Sequence, residues 1–371
     1  MPPLTLFLSF CNSLIRALFT LLFARLYTPQ SHSVGNLFGQ TAIVTGANSG
    51  IGLSIAVALA KQGATVCLAC RSLERGLAAV KEVVSRAGSG NGKSVFCWQV
   101  DVGDLGSVRK FCERWVEEGK KVDMLVHNAG IADVPAGARN TDEKGRDVIY
   151  VTNFLGSFLM TRLLEGQLSD SARVVFTSST GSYSGNTVVR TEPALQRDSS
   201  VLLPSRLSGL LKKVVSYVQK RLGISTSSAP AYAKSKAQQV LFAHLLQRHF
   251  SITQGNRRSA HAFTPGFTST PIFRKFDVSW RTWLSNPLFA MLKVSEKWVA
   301  VDTDEGAKTG AWLASRGNEV EGGGFWEWGC RRMSLVDLLK GVSGEARWEK
   351  ACEREWNEWE VDAGVVWERH T

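Results

Sequence analysis

Metal-ligand spacing is missing from this chain: its 6 histidines and 7 cysteines are scattered, without the cluster of ligands that a zinc centre needs. The same scatter excludes a disulfide framework. Cys67, Cys70 and Cys97 fall inside apolar runs that read as buried strands, so a reducing compartment is expected. Cys67 and Cys70 do form a CxxC pair, but residues three apart in an extended strand point to opposite faces, which favours buried thiols over redox or zinc chemistry. Negative charge is scarce as well, with 33 Asp and Glu against 44 Lys and Arg and a formal net charge of +11. Such an excess suits nucleic acid, a membrane surface or acidic small molecules. No nucleic-acid-binding motif accompanies it, and the basic residues are dispersed or lie near an apolar stretch, which argues against nucleic acid.

That stretch, Leu4 to Phe23, lacks the basic start and small-residue exit of a secretory signal peptide. On a helix at ~100° per residue, Thr5, Ser9, Asn12, Ser13, Arg16 and Thr20 share one wedge, and the remainder is Leu, Phe, Ile and Ala. A spanning helix would hold Arg16 near mid-bilayer at about 2.5–3.5 kcal/mol, whereas an in-plane helix leaves the wedge in water. Membrane association is expected, at the endoplasmic reticulum or another internal membrane facing the cytosol, with spanning and in-plane placement both open. A buried amphipathic helix capping the body is the alternative. Residues 1–36 are thus read as this segment plus a linker from Tyr27 to Asn36, and 37–371 as one domain.

Thr41 to Gly46 is a short β-branched run leading through Ala47, Asn48, Ser49, Gly50, Ile51 and Gly52 into a helix-periodic stretch. Strand, glycine turn and helix in this order cradle a pyrophosphate: Gly46 allows the turn, Gly50 and Gly52 permit close approach, and the helix start offers free N–H groups. The next strand ends at Arg71, nineteen residues after Gly52, where a dinucleotide fold meets the adenosine ribose. An acidic residue there would take the 2′-hydroxyl of NAD, whereas a guanidinium binds the 2′-phosphate of NADP, so NADP is preferred and NAD is the lesser alternative. An exposed Arg71 stacking on adenine without phosphate selectivity is the other reading. Ser94 to Asp101 reads as a third strand, its final carboxylate placed for the adenine amino group. Asp123 to Gly130 reads as a fourth, ending in Asn128-Ala129-Gly130. Strands alternating with helical segments predict an α/β fold, a Rossmann-type doubly wound parallel sheet of about seven strands with helices on both faces.

Chemistry is expected where Ser179, Tyr232 and Lys236 converge with Asn153. A fifth strand, Ala172 to Ser179, ends in two serines, and Tyr232-Ala-Lys-Ser-Lys236 opens a helix with Tyr and Lys one turn apart. A phenol titrates near ~10, and a neighbouring ammonium lowers that value, letting Tyr232 exchange a proton with a substrate oxygen. Ser179 would hydrogen-bond the same oxygen. Asn153, inside a long helix, would hold a water linking Lys236 to solvent.

TGANSGIG, the strand-end Arg, HNAG, VTNFLG, the TSS strand end, YAKSK and Thr264-Pro265-Gly266 together resemble, in order and spacing, the short-chain dehydrogenase/reductase family, nearest its retinol-dehydrogenase-like and fungal-reductase branch. The resemblance spans roughly residues 37–275. It implies an NAD(P)-dependent oxidoreductase with the tetrad Asn153, Ser179, Tyr232 and Lys236. It also implies cofactor contacts from Asn48, Ser49 and Ile51 in the glycine turn, from Asp101 and Val102, and from Asn128, Ala129 and Gly130. After the Pro-Gly turn, Phe267, Thr268 and Thr270 inherit contacts near nicotinamide.

Two departures stand out. Ser179 and Tyr232 lie fifty-three positions apart, longer than in compact members. Within this insert, 185–229, Leu207, Leu210, Leu211, Val214, Val215, Val218 and Leu222 share a helical face opposite Lys212, Lys213, Gln219 and Lys220. Docking on anionic lipid and a lid over the site are both open. The second departure is an apolar, aromatic stretch over 271–300, where the family builds its substrate cap, which implies a hydrophobic substrate. Beyond 300, Trp348, Cys352, Glu355 and Trp359 recur at helical spacing, a stripe expected to pack rather than bind ligand. The expected activity is hydride transfer between nicotinamide and a hydrophobic alcohol or carbonyl, with ketone or aldehyde reduction preferred. A non-catalytic NADP(H) sensor acting through a partner is the alternative. No metal is expected, and a homo-oligomer is left open.

Overall fold

The computed structural model describes residues 3–23, 35–88, 94–134, 137–185, 229–254, 257–269 and 299–367. The helical face expected in the insert, nearly all of the stretch 271–300, Thr270 and most of the linker lie outside these residues.

Helix α1 (Pro3–Phe23) is followed by a regular alternation: β1 (Thr41–Thr45), α2 (Gly50–Lys61), β2 (Thr65–Cys70), α3 (Leu73–Ala87), β3 (Val95–Gln99), α4 (Leu105–Glu117) and β4 (Val122–His127). A helix then begins as α5 (Val148–Tyr150), widens into a π-turn over Val151–Leu155 and continues as α6 (Gly156–Leu164). Next come β5 (Leu168–Thr177), a 3₁₀ turn (Thr180–Ser184), α7 (Ala229–Gln254), β6 (Ser259–Thr264) and α8 (Thr303–Arg316). A short hairpin, β7 (Phe325–Glu327) and β8 (Cys330–Arg332), leads into α9 (Leu335–Ser343) and α10 (Glu345–Ala363).

The strands form one sheet in the order β3-β2-β1-β4-β5-β6-β7-β8. Neighbours pair in parallel except β7 and β8, which are antiparallel. The parallel sheet of about seven strands is therefore present, with an eighth strand at its edge. Ala42, Ile43, Val44, Val66, Cys67 and Leu68 are fully buried, the pattern of strands covered on both faces. Two apolar layers result. Cys67 joins the layer with Trp115, Phe158 and Phe242, while Cys70 joins the layer with Leu59, Val126 and Phe263. Strand alternation thus separates the CxxC thiols, and all seven cysteines are free. Strand order turns between β1 and β4, which opens a crevice beyond their carboxyl ends.

Helix starts differ in a way that matters there. Ser72, Asp104, Asp147 and Asp302 each accept a backbone N–H at the start of α3, α4, α5 and α8. Ser49, at the start of α2, makes no such bond, so the first N–H groups of α2 have no side-chain cap at the crevice.

Helix α1 docks on the body with its polar wedge partly inward, as the alternative of an amphipathic helix capping the body has it, rather than leaving the whole wedge to water. Ser13 Oγ accepts from Met333 N at 3.1 Å, and Thr20 Oγ1 donates to Glu327 Oε1 at 3.1 Å. These hydroxyls satisfy polar groups that the hairpin and its exit would otherwise bury unpaired. Leu6, Phe10 and Ala17 are buried beside them, and Phe10 meets the Tyr183 ring edge-on. The opposite stripe, Leu4, Leu8, Ile15 and Phe19, is more than half exposed. Among the described residues no helix is long and apolar enough to cross a membrane.

The tryptophan stripe of α10 packs. Trp356 and Trp359, with Trp367 beyond the helix, lie edge-on or tilted against Phe158 and Phe242. Polar ties fix the register: Arg109 donates to Ala363 O and Gly364 O, and Tyr150 Oη to Asp362 Oδ2 at 2.9 Å.

Candidate active site

The glycine turn is held from beneath. Gly46 takes φ 66°, a left-handed conformation that a side chain would strain, and a Cβ on Gly52 would stand 2.4 Å from Asn128 Nδ2. Asn128 Nδ2 donates to Thr45 O at 3.1 Å, while Thr45 Oγ1 accepts from the backbone N–H groups of Asn128 and Ala129, both at 3.0 Å. Thr45 therefore joins the ends of β1 and β4. Sequence reasoning passed it over, although a hydroxyl just before the glycine turn is the signal.

Arg71 is exposed at the end of β2, its backbone oxygen accepting from Gln99 Nε2. Asp101 Oδ1 accepts from Gly103 N at 2.9 Å, fixing the turn after β3. The buried Val102 presents its carbonyl to Gly156, where a Cβ would come within 2.0 Å. This close approach seats the turn against the helix that carries Asn153.

Asn153 is fully buried within the π-turn, a helix distortion frequent at functional sites. Its Oδ1 accepts from Ile131 N at 2.7 Å, and its Nδ2 donates to Ile131 O and Ser235 Oγ at 2.9 and 3.0 Å. The amide clamps the chain after Gly130 to α7. Asn153 O in turn accepts from Gln239 Nε2 at 2.7 Å.

The two serines after β5 face apart. Ser178 Oγ donates to Lys236 O at 2.8 Å, a structural tie, whereas Ser179 Oγ accepts from Gly181 N and hydrogen-bonds the Tyr232 hydroxyl. Lys236 is buried, with Nζ donating to Thr177 O at 2.8 Å and Gln239 Oε1 at 3.2 Å, 5.7 Å from the Tyr232 ring centroid. Burial lowers the lysine to about 7. Burial also raises the Tyr232 phenol above its ordinary value, with the Ser179 bond acting the other way. The expectation of a phenol made acidic thus needs correcting: burial raises it, and Nζ spends two donors on Thr177 O and Gln239 Oε1.

After β6, Thr268 Oγ1 donates to Pro265 O at 2.8 Å, and Thr268 bridges to Val301, fixing the loop with Gly266 and the buried Phe267. The residues fit a nicotinamide dinucleotide. An uncapped helix start lies beside close-approach glycines, and at Gly130 a Cβ would stand 3.0 Å from Asn153 Oδ1 and 3.4 Å from Lys236 Nζ. Among the described residues, no group of three or more His, Cys, Asp or Glu is placed to hold a metal ion.

Comparison with known proteins agrees with this architecture. Residues 40–190 match the short chain dehydrogenase family model. Retinol dehydrogenase 12 of Mus musculus is 32% identical over 333 residues, covering 89% of this chain and 88% of that protein. Retinol dehydrogenase 13 of Homo sapiens is 31% identical over 267 residues, covering 71% and 70%. A Mycobacterium paratuberculosis protein of solved structure shares the fold with a TM-score of 0.57 at 24% identity, covering 92% of this chain and all of that one. The chain belongs to the short-chain dehydrogenase/reductase family of oxidoreductases, whose fold binds a nicotinamide cofactor. Its relatives make it an enzyme of the retinol-dehydrogenase-like type.

Proposed function

We propose that this chain is an NADP(H)-dependent reductase of hydrophobic ketones or aldehydes, with the reverse alcohol oxidation as the same chemistry run backward. The observation that carries the reading is the Ser179–Tyr232 hydrogen bond, one helical turn from the Lys236 ammonium. Ser179 Oγ holds the carbonyl oxygen. The Tyr232 hydroxyl gives its proton to that oxygen as charge develops on it. A phenol raised by burial stays protonated at neutral pH, which suits a proton donor and hence the reductive direction. Lys236 lies close enough to stabilise the phenolate left behind. Bound NADPH supplies the hydride.

Three supporting features bear on partners. Arg71 is exposed where the adenosine 2′-phosphate would lie, which favours NADP over NAD. Relatives named for retinol point to a long apolar alcohol or carbonyl as substrate. The exposed stripe Leu4, Leu8, Ile15 and Phe19 suits an in-plane contact with a membrane, where such substrates dissolve. Free cysteines throughout fit the cytosolic face of an internal membrane.

The test is NADPH oxidation by the membrane fraction of expressing cells, offered a panel of hydrophobic carbonyls that includes retinal. Wild type consumes NADPH, while Tyr232→Phe and Lys236→Ala do not. Equal turnover by Tyr232→Phe would sink the reading. In a parallel fractionation, Leu8→Glu/Ile15→Glu shifts the protein to the soluble fraction, and its persistence on membranes would refute the role of α1.

A further inference from the structure

We propose that Gln239 is a positioning residue, its side-chain amide bridging the Lys236 ammonium to the backbone carbonyl of Asn153. The inference rests on the reductase reading and adds a residue to it. Gln239 is fully buried, seven residues after Tyr232 and three after Lys236, on the same face of α7. Its Oε1 accepts from Lys236 Nζ at 3.2 Å, and its Nε2 donates to Asn153 O at 2.7 Å. The amide fits one way round only, because an ammonium offers donors alone and a carbonyl acceptors alone.

Two of the three Nζ donors are thereby spent, on Thr177 O and on Gln239. Among the described residues, the groups around the nitrogen are Tyr232 and Gln239 of α7, the Thr177 carbonyl of β5, and Gly130 and Asn153 from the β4 side. Of these only Tyr232 titrates. Burial disfavours the charged lysine, and an acceptor at Gln239 works against that loss. Gln239 therefore both aims the ammonium and helps it keep its proton.

Gln239→Met keeps the length and removes both polar ends, whereas Gln239→Glu sets a carboxylate against the ammonium. Two readouts over a pH series separate the cases: NADPH binding by nicotinamide fluorescence, and turnover, both on the full chain. Gln239→Met is expected to move the alkaline limit of binding and turnover to lower pH and to cut kcat about 10- to 100-fold, with carbonyl KM little changed. Gln239→Glu is expected to move the limit upward by about one unit or more. Variants with the wild-type limit and kcat, altered only in resistance to denaturant, would overturn the proposal. If wild type binds NADPH but reduces no carbonyl, the reductase reading fails and the binding limits alone decide Gln239. If wild type binds no NADPH, both fall.

Discussion

Thr20 of the amino-terminal helix donates to Oε1 of Glu327 on the last parallel strand, and the other carboxylate oxygen accepts from Arg332 Nε at 3.2 Å. Glu327 is fully buried and Arg332 nearly so, and burial pushes the Glu327 carboxyl above its ordinary value. Removing Glu327 takes a buried counterion from Arg332. Glu327→Ala should cost about 3–5 kcal/mol in denaturant unfolding, against about 0.5–1.5 kcal/mol for Thr20→Val. An unchanged Glu327→Ala midpoint would show that the pair contributes nothing net.

The serine pair after β5 predicts a clean division. Ser179→Ala should lower kcat by about 10²-fold, as loss of a donor to a developing oxyanion does, and lose about 0.5–1.5 kcal/mol of stability with its bond to Gly181 N. Ser178→Ala should lose about 0.5–1.5 kcal/mol of stability through its bond to Lys236 O and keep turnover near wild type. Steady-state kinetics and unfolding on both variants decide it, and reversed effects would mean the serines exchange roles.

Arg71 sets the cofactor prediction. If its guanidinium meets the 2′-phosphate, Arg71→Ala should forfeit about 1.5–3 kcal/mol of NADPH affinity and leave NADH affinity nearly unchanged. Fluorescence titration with the two nucleotides measures this. Equal losses for both would return Arg71 to a stacking role.

Acid sensitivity follows from three histidines, His127 and His261 buried and His244 half-buried. His127 is lowered to about 3, and His244 and His261 to about 4, each chiefly by burial. In His261 both ring nitrogens are engaged, Nδ1 accepting from Trp326 Nε1 and Nε2 donating to Gly317 O, so the neutral ring is required. An unfolded histidine titrates near ~6.5 and binds protons that the folded ring refuses. Stability is therefore full above about pH 6.5 and falls as pH drops toward 4, by about 1–2 kcal/mol per ring at pH 5. Unfolding measured across that range should show the slope, and His261→Gln should flatten it.

The nucleotide half was legible in the chain because each strand ends on its own marker: Gly46 after β1, Arg71 after β2, Asp101 after β3 and Asn128 after β4. Local pattern suffices where function sits at the strand end. The antiparallel β8 and the surface on which α1 docks were not legible, since the Thr20–Glu327 bond joins residues 307 positions apart and no periodicity encodes such a partner. Gln239 escaped for another reason. Its motif face was read as far as Lys236, and a glutamine three residues on looks like any polar helix residue until Asn153 O is found opposite.

The indoles of Trp356, Trp359 and Trp367 come after every motif of the cleft in chain order. A nascent chain that has already made Tyr232 and Lys236 still exposes Phe158 and Phe242 to water, with their partner rings unmade. Prematurely terminated products therefore carry a complete set of reactive groups on a greasy, unfinished back, and quality control meets them as sticky surfaces rather than as slow enzymes.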